Sequence, residues 1–180
     1  RWKYKVHKNL YFHLSEQEFH QQLEELKKKV PAYSDEQMEI ALSVILAGIN
    51  DTHTGSNIGS EYRYPLELYW FAEGIYITGT SKEYPELLDA RIITLNGRKI
   101  EEAADTLRPL LAGANESWFR TQIVYYLPLP GILKYFGLSK EDEIELGVEM
   151  ENGQRQTVKL KPVSYKDYVA AEHPAVSVPL

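Results

Sequence analysis

The five histidines are the residues with the most potential for chemistry, because the sequence has no cysteine and thus no thiol nucleophile or Cys-bound metal. No two of them are four residues apart, so a helical two-histidine metal site lacks support. His53 stands out because Thr52 and Thr54 flank it and Asp51 precedes it by two residues. Such a histidine can act as a general base, since its pKa lies near neutrality and a neighbouring hydroxyl or carboxylate can set its tautomer.

The polar residues around His53 have a second interpretation. Asp51, Thr52 and Thr54 can simply satisfy backbone groups where a helix ends. Asp51 and His53 could also bind a metal ion, but two ligands are too few for a site. We therefore expect no metal and no cofactor, and we name Thr52 and His53 as catalytic candidates, with Asp51 and Thr54 in support.

A complete catalytic centre cannot be assembled from the motifs in this sequence. No serine lies in a Gly-x-Ser-x-Gly elbow or a Ser-x-x-Lys pair, and no glycine-rich nucleotide-binding motif occurs. Ser139 and Lys140 are adjacent, but they lie in a polar link that gives no sign of burial. The nucleophile that His53 would serve is therefore not evident in the chain.

Composition and charge exclude several partners. The 180 residues are 43% hydrophobic, enough to bury a core, and carry a net charge of -6 without a basic run. That balance argues against nucleic-acid binding. The densest cationic stretch, residues 27–29, falls at a predicted helix end, where it complements the helix dipole. No apolar run approaches the roughly 20 residues of a membrane span, and no signal segment is visible.

Two amphipathic helices precede the histidine loop. Their apolar residues repeat at helical spacing over 19–30 and 38–49, and Pro31 ends the first helix. Two capping boxes mark their starts, formed by Ser15 with Glu18 and by Ser34 with Gln37. Since about four residues join the helices, we expect an antiparallel hairpin, with the polar stretch 50–56 leaving it as a loop.

Strand patterns dominate the rest of the chain. The segments predicted as strands are 65–71, 75–78, 91–95, 143–150 and 156–160. The turns predicted between neighbouring strands or after a strand are 72–74, Asn96-Gly97 and Asn152-Gly153. Helical spacing predicts helices over 100–111 and after Asn115, and the tail after Pro162 is predicted to be irregular.

These patterns predict an α+β fold, in which an N-terminal helical hairpin is followed by an α+β domain with antiparallel strands. We place the helical module at residues 1–60, ending in the Asp-Thr-His-Thr-Gly loop, and the second domain at 61–163. Residues 164–180 are interpreted as a tail leading to a further domain.

The order of these signals resembles the amino-terminal part of tail-specific (C-terminal-processing) serine peptidases, most closely the branch with the tricorn protease core. Two motifs carry the resemblance. Ile49–Gly55, which reads INDTHTG, is similar to a loop that follows a helical hairpin in that family. Leu87–Ile100, which reads LLDARIITLNGRKI, is similar to the PDZ-like domain, where a strand leads through an Asn-Gly turn to a helix. The resemblance covers about residues 5–163.

The resemblance implies that the general base and the nucleophile come from different domains. His53 matches a loop histidine that acts as general base toward a serine in a later α/β domain, and Thr52 matches a supporting hydroxyl that is usually Ser. That later domain, with the nucleophile and the oxyanion hole, would follow the tail, so these 180 residues alone are expected to be inactive. Asp89 departs from the family, which usually carries Gly there; Asp tolerates left-handed backbone better than most residues.

The PDZ-like part implies a peptide or protein partner, added as a strand to a sheet edge beside a helix. The helix at 100–111 and a strand within 65–78 are the expected walls, and which strand edge is open is not determined by the sequence. Family members are commonly exported, so the resemblance favours an extracytoplasmic location.

Three hypotheses of function remain open at this point. The first is the non-catalytic front part of a serine peptidase that hydrolyses peptide bonds. The second is a peptide- or ligand-binding module, or an inactive paralogue, without catalysis. The third is a scaffold that mediates assembly through exposed aromatic residues.

Overall fold

The computed structural model describes residues 11–51, 54–56, 58–113 and 115–171. The catalytic candidates Thr52 and His53 lie outside the described residues. The chain divides into two compact units: one consists of Arg1–Gly59 and Pro109–Glu116, the other of Ser60–Arg108 and Ser117–Leu180. The domain boundaries predicted from the sequence stay a prediction.

The first unit contains two helices, α1 (Glu16–Lys29) and α2 (Asp35–Ala47), joined by a 3-10 turn at Val30–Ala32. Both predicted capping boxes are confirmed: each serine side chain accepts a hydrogen bond from the backbone three residues on, and the Glu or Gln there accepts one from the serine backbone. The two helices contact each other, and their buried apolar residues are Leu26, Ile40, Ala41, Ile45 and Ala47.

The second unit contains a sheet of six strands: β2 (Leu66–Phe71), β3 (Gly74–Thr80), β4 (Arg91–Leu95), β5 (Arg98–Lys99), β6 (Ile144–Glu149) and β7 (Arg155–Leu160). The strand order is β2-β3-β4-β6-β7, antiparallel throughout, and β5 pairs with β4. A separate two-stranded ribbon is formed by β1 (Tyr62–Arg63) and β8 (Val163–Ser164).

Turn chemistry explains why these strands pair locally. Asn96 and Gly97 both have positive φ angles, 49° and 78°, as a type I′ turn between β4 and β5 requires. Asp89 also has a positive φ, 66°, just before β4. The aspartate therefore adopts the left-handed backbone that a glycine would allow.

The helices of the second unit are α3 (Ile100–Thr106), α4 (Glu116–Tyr126), α5 (Pro130–Tyr135) and α6 (Tyr165–Ala170), except that Glu116, the first residue of α4, belongs to the first unit. On the sheet, Trp70 of β2 packs edge-on against the buried Phe119 of α4, with ring centroids 6.0 Å apart. The core is formed by apolar strand and helix residues that are almost fully buried, including Ile75, Ile77, Ile92, Leu146, Ala103, Ile123 and Leu133.

The opposite sheet face carries a row of half-buried and exposed side chains. Strand register aligns Tyr76, Arg91, Glu149 and Arg155 across β3, β4, β6 and β7. The Glu149 carboxylate accepts hydrogen bonds from Arg91 at 2.7 Å and from Arg155 at 2.8 Å. These charge-assisted bonds tie three strands together at the solvent side of the sheet.

The predicted α+β class with antiparallel strands is confirmed, but three local predictions were wrong. The helix over 100–111 ends at Thr106 and is followed by a 3-10 turn, because Pro109 cannot continue a helix. The described part of the tail, residues 163–171, contains regular elements: β8 pairs with β1, and Ser164 caps α6 by accepting a hydrogen bond from the Asp167 N–H. Ser139 is buried, with its hydroxyl donating to the Glu141 carbonyl at 2.7 Å.

No helix in the part of the chain that the structure describes is both long enough and apolar enough to cross a bilayer.

Candidate functional site

The loop that carries the catalytic candidates starts where α2 ends. The Ile49 and Asn50 N–H groups donate to the carbonyls of Leu46 and Ala47, at 3.0 and 2.9 Å, and close the last turn. Asn50 then takes a left-handed conformation with φ 62°. Its side-chain oxygen accepts a hydrogen bond from the Gly113 N–H, a residue of the same unit. The chain is thus turned away from the helix axis at Asn50.

The two predicted supporting residues, Asp51 and Thr54, contact each other. The Thr54 hydroxyl donates to Asp51 Oδ2 at 2.8 Å, and the Thr54 N–H donates to the Asp51 carbonyl at 2.9 Å. Thr52 and His53 are the two residues between them in sequence and fall outside the described part of the chain. The structure therefore brings the supporting pair together, and the roles of Thr52 and His53 stay predictions.

The loop is bonded back to α2 beyond the histidine. Ser43 of α2 is buried, 5% exposed, and its Oγ lies 2.5 Å from Ser56 Oγ. Four residues earlier on the same helix, Glu39 Oε2 accepts a hydrogen bond from the Gly59 N–H at 3.1 Å. Sequence reasoning missed these contacts, although a serine within the apolar stripe of α2 is a signal that could have drawn attention to Ser43.

Metal binding has no further support from the geometry. Within residues 11–51, 54–56, 58–113 and 115–171, no three His, Asp or Glu side chains group closely enough to hold an ion. Of the described histidines, His20 lies on α1 with its ring 3.8 Å from the Glu16 carboxylate. His20 is thus an exposed histidine on the helix surface.

A second candidate site is the edge of β2 in the other unit. β2 and β7 are the end strands of the sheet among the described residues. β7 carries Arg155 and Lys159, and such charges protect an edge against pairing. β2 carries one charged residue near its start, Glu67, whose carboxylate accepts a hydrogen bond from the Tyr168 hydroxyl, and continues with Leu68, Tyr69 and Trp70. Of the two edges, β2 is the better template for an added strand.

Pairing register shows which main-chain groups of β2 face outward. A two-residue turn joins Phe71 to Gly74, and Tyr69 pairs with Tyr76. Because hydrogen-bonded and non-hydrogen-bonded pairs alternate, the main-chain groups of Leu68 and Trp70 point away from β3. They are the groups that an additional strand would meet.

The surroundings of β2 define the extent of this open edge. At its start, Arg63 closes the edge by donating to the Leu66 carbonyl at 3.1 Å. The Arg63 guanidinium also lies over the Tyr168 ring, 4.0 Å from its centroid. Burial of the Tyr168 side chain raises the pKa of its hydroxyl to about 12. Further along, the Arg120 guanidinium of α4 lies 5.2 Å from the Trp70 ring. The open part thus runs from Leu68 to Trp70, with a helix-borne cation near its far end.

No protein-family model matches this chain. No curated protein sequence matches it either.

The fold is similar to that of CPAF, a serine protease. A structure of a serine-to-alanine mutant of CPAF matches with a TM-score of 0.58 at 14% identity, over 81% of this chain and 28% of that one. Two structures of mature CPAF, one complexed with lactacystin, match with a TM-score of 0.57 at 14% identity, over 89% of this chain. This chain spans about a third of the CPAF chain, 28–32%. At this identity the likeness establishes a shared fold.

Proposed function

We propose that this chain is the amino-terminal part of a serine peptidase of the tail-specific type, in the branch that resembles the tricorn core. The observation that carries the proposal is the fold shared with the serine protease CPAF over 81–89% of the chain. The INDTHTG motif adds support from the sequence. It is similar to a loop that follows a helical hairpin in that family, and here it follows α2, a helix with a capping box at its start. Together, the shared fold and the INDTHTG motif support a role in proteolysis.

In this proposal His53 is the general base. It takes the proton from a serine hydroxyl as that oxygen attacks the peptide carbonyl, and returns it to the leaving amine. The serine belongs to a later domain of the full protein. Thr52 supports the histidine, while the doubly bonded pair Asp51 and Thr54 fixes the chain on either side. Peptides or proteins are the substrates.

The second unit serves as a PDZ-like peptide-binding domain in this proposal. A peptide pairs with the outward main-chain groups of Leu68 and Trp70, extending the sheet at β2. The extracytoplasmic location stays a prediction.

The test of the catalytic role uses the full-length protein and a peptide substrate. We expect His53→Ala to lower kcat by about 10²- to 10⁴-fold, the usual contribution of a general base. His20→Ala is the matched control, because it removes an exposed histidine from α1 of the same unit. If His53→Ala cleaves the peptide as fast as the unaltered protein, the proposed role of His53 is wrong.

Peptide binding without catalysis is the second candidate function, and the open edge of β2 is the observation that favours it. Its test is an NMR titration of the ¹⁵N-labelled chain with apolar decapeptides. We expect the amide chemical shifts of Leu68 and Trp70 to change on binding, and few changes at the charged edge strand β7. Peptides that are N-methylated at alternate positions should cause no chemical-shift changes. Binding by a full-length protein that has no peptidase activity would favour this function over the first.

A further inference from the structure

The contacts of Ser43 determine which residue donates the hydrogen bond between α2 and the loop. The Ser43 hydroxyl donates to the Glu39 carbonyl at 2.8 Å, the usual back-bonding of a helical serine. A hydroxyl has one proton, so Ser43 has none left for Ser56. Ser56 therefore donates to Ser43 across the 2.5 Å that separates their oxygens. Ser43 is a buried acceptor on the helix that receives a donor from the loop.

Glu39 supplies a second point of attachment. It lies four residues before Ser43, so the two side chains share one face of α2. Its carboxylate accepts the hydrogen bond from the Gly59 N–H at 3.1 Å, and a charged acceptor makes this bond stronger than a neutral one. One helical turn thus holds the chain at Ser56 and again at Gly59. We call these two contacts, Ser56 to Ser43 and Gly59 to Glu39, the helix latch.

The helix latch lies on the exit side of the histidine loop. Ser56 follows His53 by three residues and Gly59 follows it by six. On the entry side, the left-handed Asn50 and the Asp51–Thr54 bonds set the chain direction. Described residues on both sides of positions 52 and 53 are therefore held: Asn50 directly after α2, and Ser56 and Gly59 by bonds to α2. No contact of the helix latch involves a residue of the predicted site.

We propose that Ser43 and Glu39 are positioning residues for the peptidase reaction, acting on the general base through Ser56 and Gly59. This inference rests on the proposed function. Proton transfer needs the base within hydrogen-bond reach of the nucleophile, and a misplacement of about 1 Å can cost about 100-fold in rate. If the loop were attached to α2 only before His53, the distance between the general base and the nucleophile would be poorly defined. The helix latch provides the second attachment to α2, after His53.

The test compares paired variants in the full-length peptidase. Ser56→Ala removes the donor to Ser43, while Ser56→Thr keeps a hydroxyl; Glu39→Ala removes the acceptor for Gly59, while Glu39→Gln keeps an acceptor oxygen. We expect each alanine variant to lower kcat about 10- to 100-fold with KM within about twofold. The threonine and glutamine variants should recover most of kcat. Ser117→Ala, which removes an exposed hydroxyl at the start of α4, is the control.

The outcomes separate this inference from the proposed function. If His53→Ala abolishes cleavage while Ser56→Ala and Glu39→Ala retain full kcat, the helix latch has no positioning role and the peptidase assignment stands. If the alanine variants lose kcat only in proportion to a measured unfolded fraction, the role is structural and the inference is overturned. If His53→Ala is fully active, the proposed function fails, and this inference fails with it.

Discussion

Thr54 is bonded twice to Asp51, through its hydroxyl to the carboxylate at 2.8 Å and through its N–H to the carbonyl at 2.9 Å. The side-chain bond can be removed without the main-chain bond by Thr54→Val, which keeps the shape of the residue. We expect a loss of about 0.5–1.5 kcal/mol in the free energy of unfolding, measured by urea denaturation. Faster hydrogen exchange of the Thr54 amide should accompany it. Thr54→Ser, which keeps the hydroxyl, is the control; equal losses in both variants would contradict the bond's role.

The left-handed turn at Asn50 predicts an order of stability among its variants. Asn50→Ala forces alanine into φ 62° and should destabilise the chain by about 1–2 kcal/mol. Asn50→Gly relieves that strain but loses the acceptor for the Gly113 N–H, so it should fall in between. Asn50→Asp keeps the acceptor and should lie closest to the unaltered chain. Urea denaturation checks the order, and a glycine variant no more stable than the alanine variant would contradict it.

Asp89 offers a similar test in the second unit. Its φ of 66° suits glycine, and its N–H donates to the Ile77 carbonyl at 3.0 Å. Asp89→Gly should leave the thermal midpoint almost unchanged, while Asp89→Val should cost about 1–2 kcal/mol, because a β-branched residue is strained there. Glu86→Val, in the 3-10 turn just before it, controls for the exposed valine and the lost charge. Equal melting of the glycine and valine variants would show that the backbone at Asp89 is not a constraint.

The Glu149 ion pairs predict a dependence of stability on pH. The hydrogen bond from Arg155 and the charge and hydrogen bond of Arg91 hold the pKa of Glu149 below its ordinary value of 4.5. The unfolded chain therefore binds this proton at a higher pH than the folded chain. The ion pairs contribute stability above about pH 4.5, and this contribution is lost as the pH falls through the folded pKa.

Glu149→Gln should therefore flatten the fall in the free energy of unfolding between about pH 5 and about pH 3. Urea denaturation at several pH values measures that slope. Glu145→Gln removes the same charge from the same strand without touching either arginine, and serves as the control. An unchanged slope for Glu149→Gln would mean that the two arginine contacts do not form in solution.

Local signals account for what the sequence predicted correctly. The capping boxes at Ser15 and Ser34 and the Asn96-Gly97 turn depend on residues within four positions of one another, so their physics is visible in a short window. The hairpin of β6 and β7 is likewise a local pairing. For the same reason Asp51 and Thr54 could be named as a supporting pair before their contacts were known.

Contacts between distant positions explain what the sequence did not predict. β8 is two residues long and is specified by pairing with β1, about a hundred residues earlier, so no local pattern marks it. Ser43 and Ser56 are thirteen residues apart, and Glu39 and Gly59 are twenty apart. The burial of Ser139 depends on its tertiary surroundings, which polarity alone does not give. The open edge of β2 became identifiable only from strand order.

The assignment of Pro109–Glu116 to the first unit has a consequence for how this molecule can be dissected. The polypeptide leaves the helical unit after Gly59, forms four of the six strands of the sheet, returns for eight residues, and then leaves again. A gene fragment that starts at Ser60 would carry that returning stretch without the residues that cover it. Cutting the chain at one peptide bond thus cannot release either unit intact, and a deletion mutant of one should be expected to damage the other.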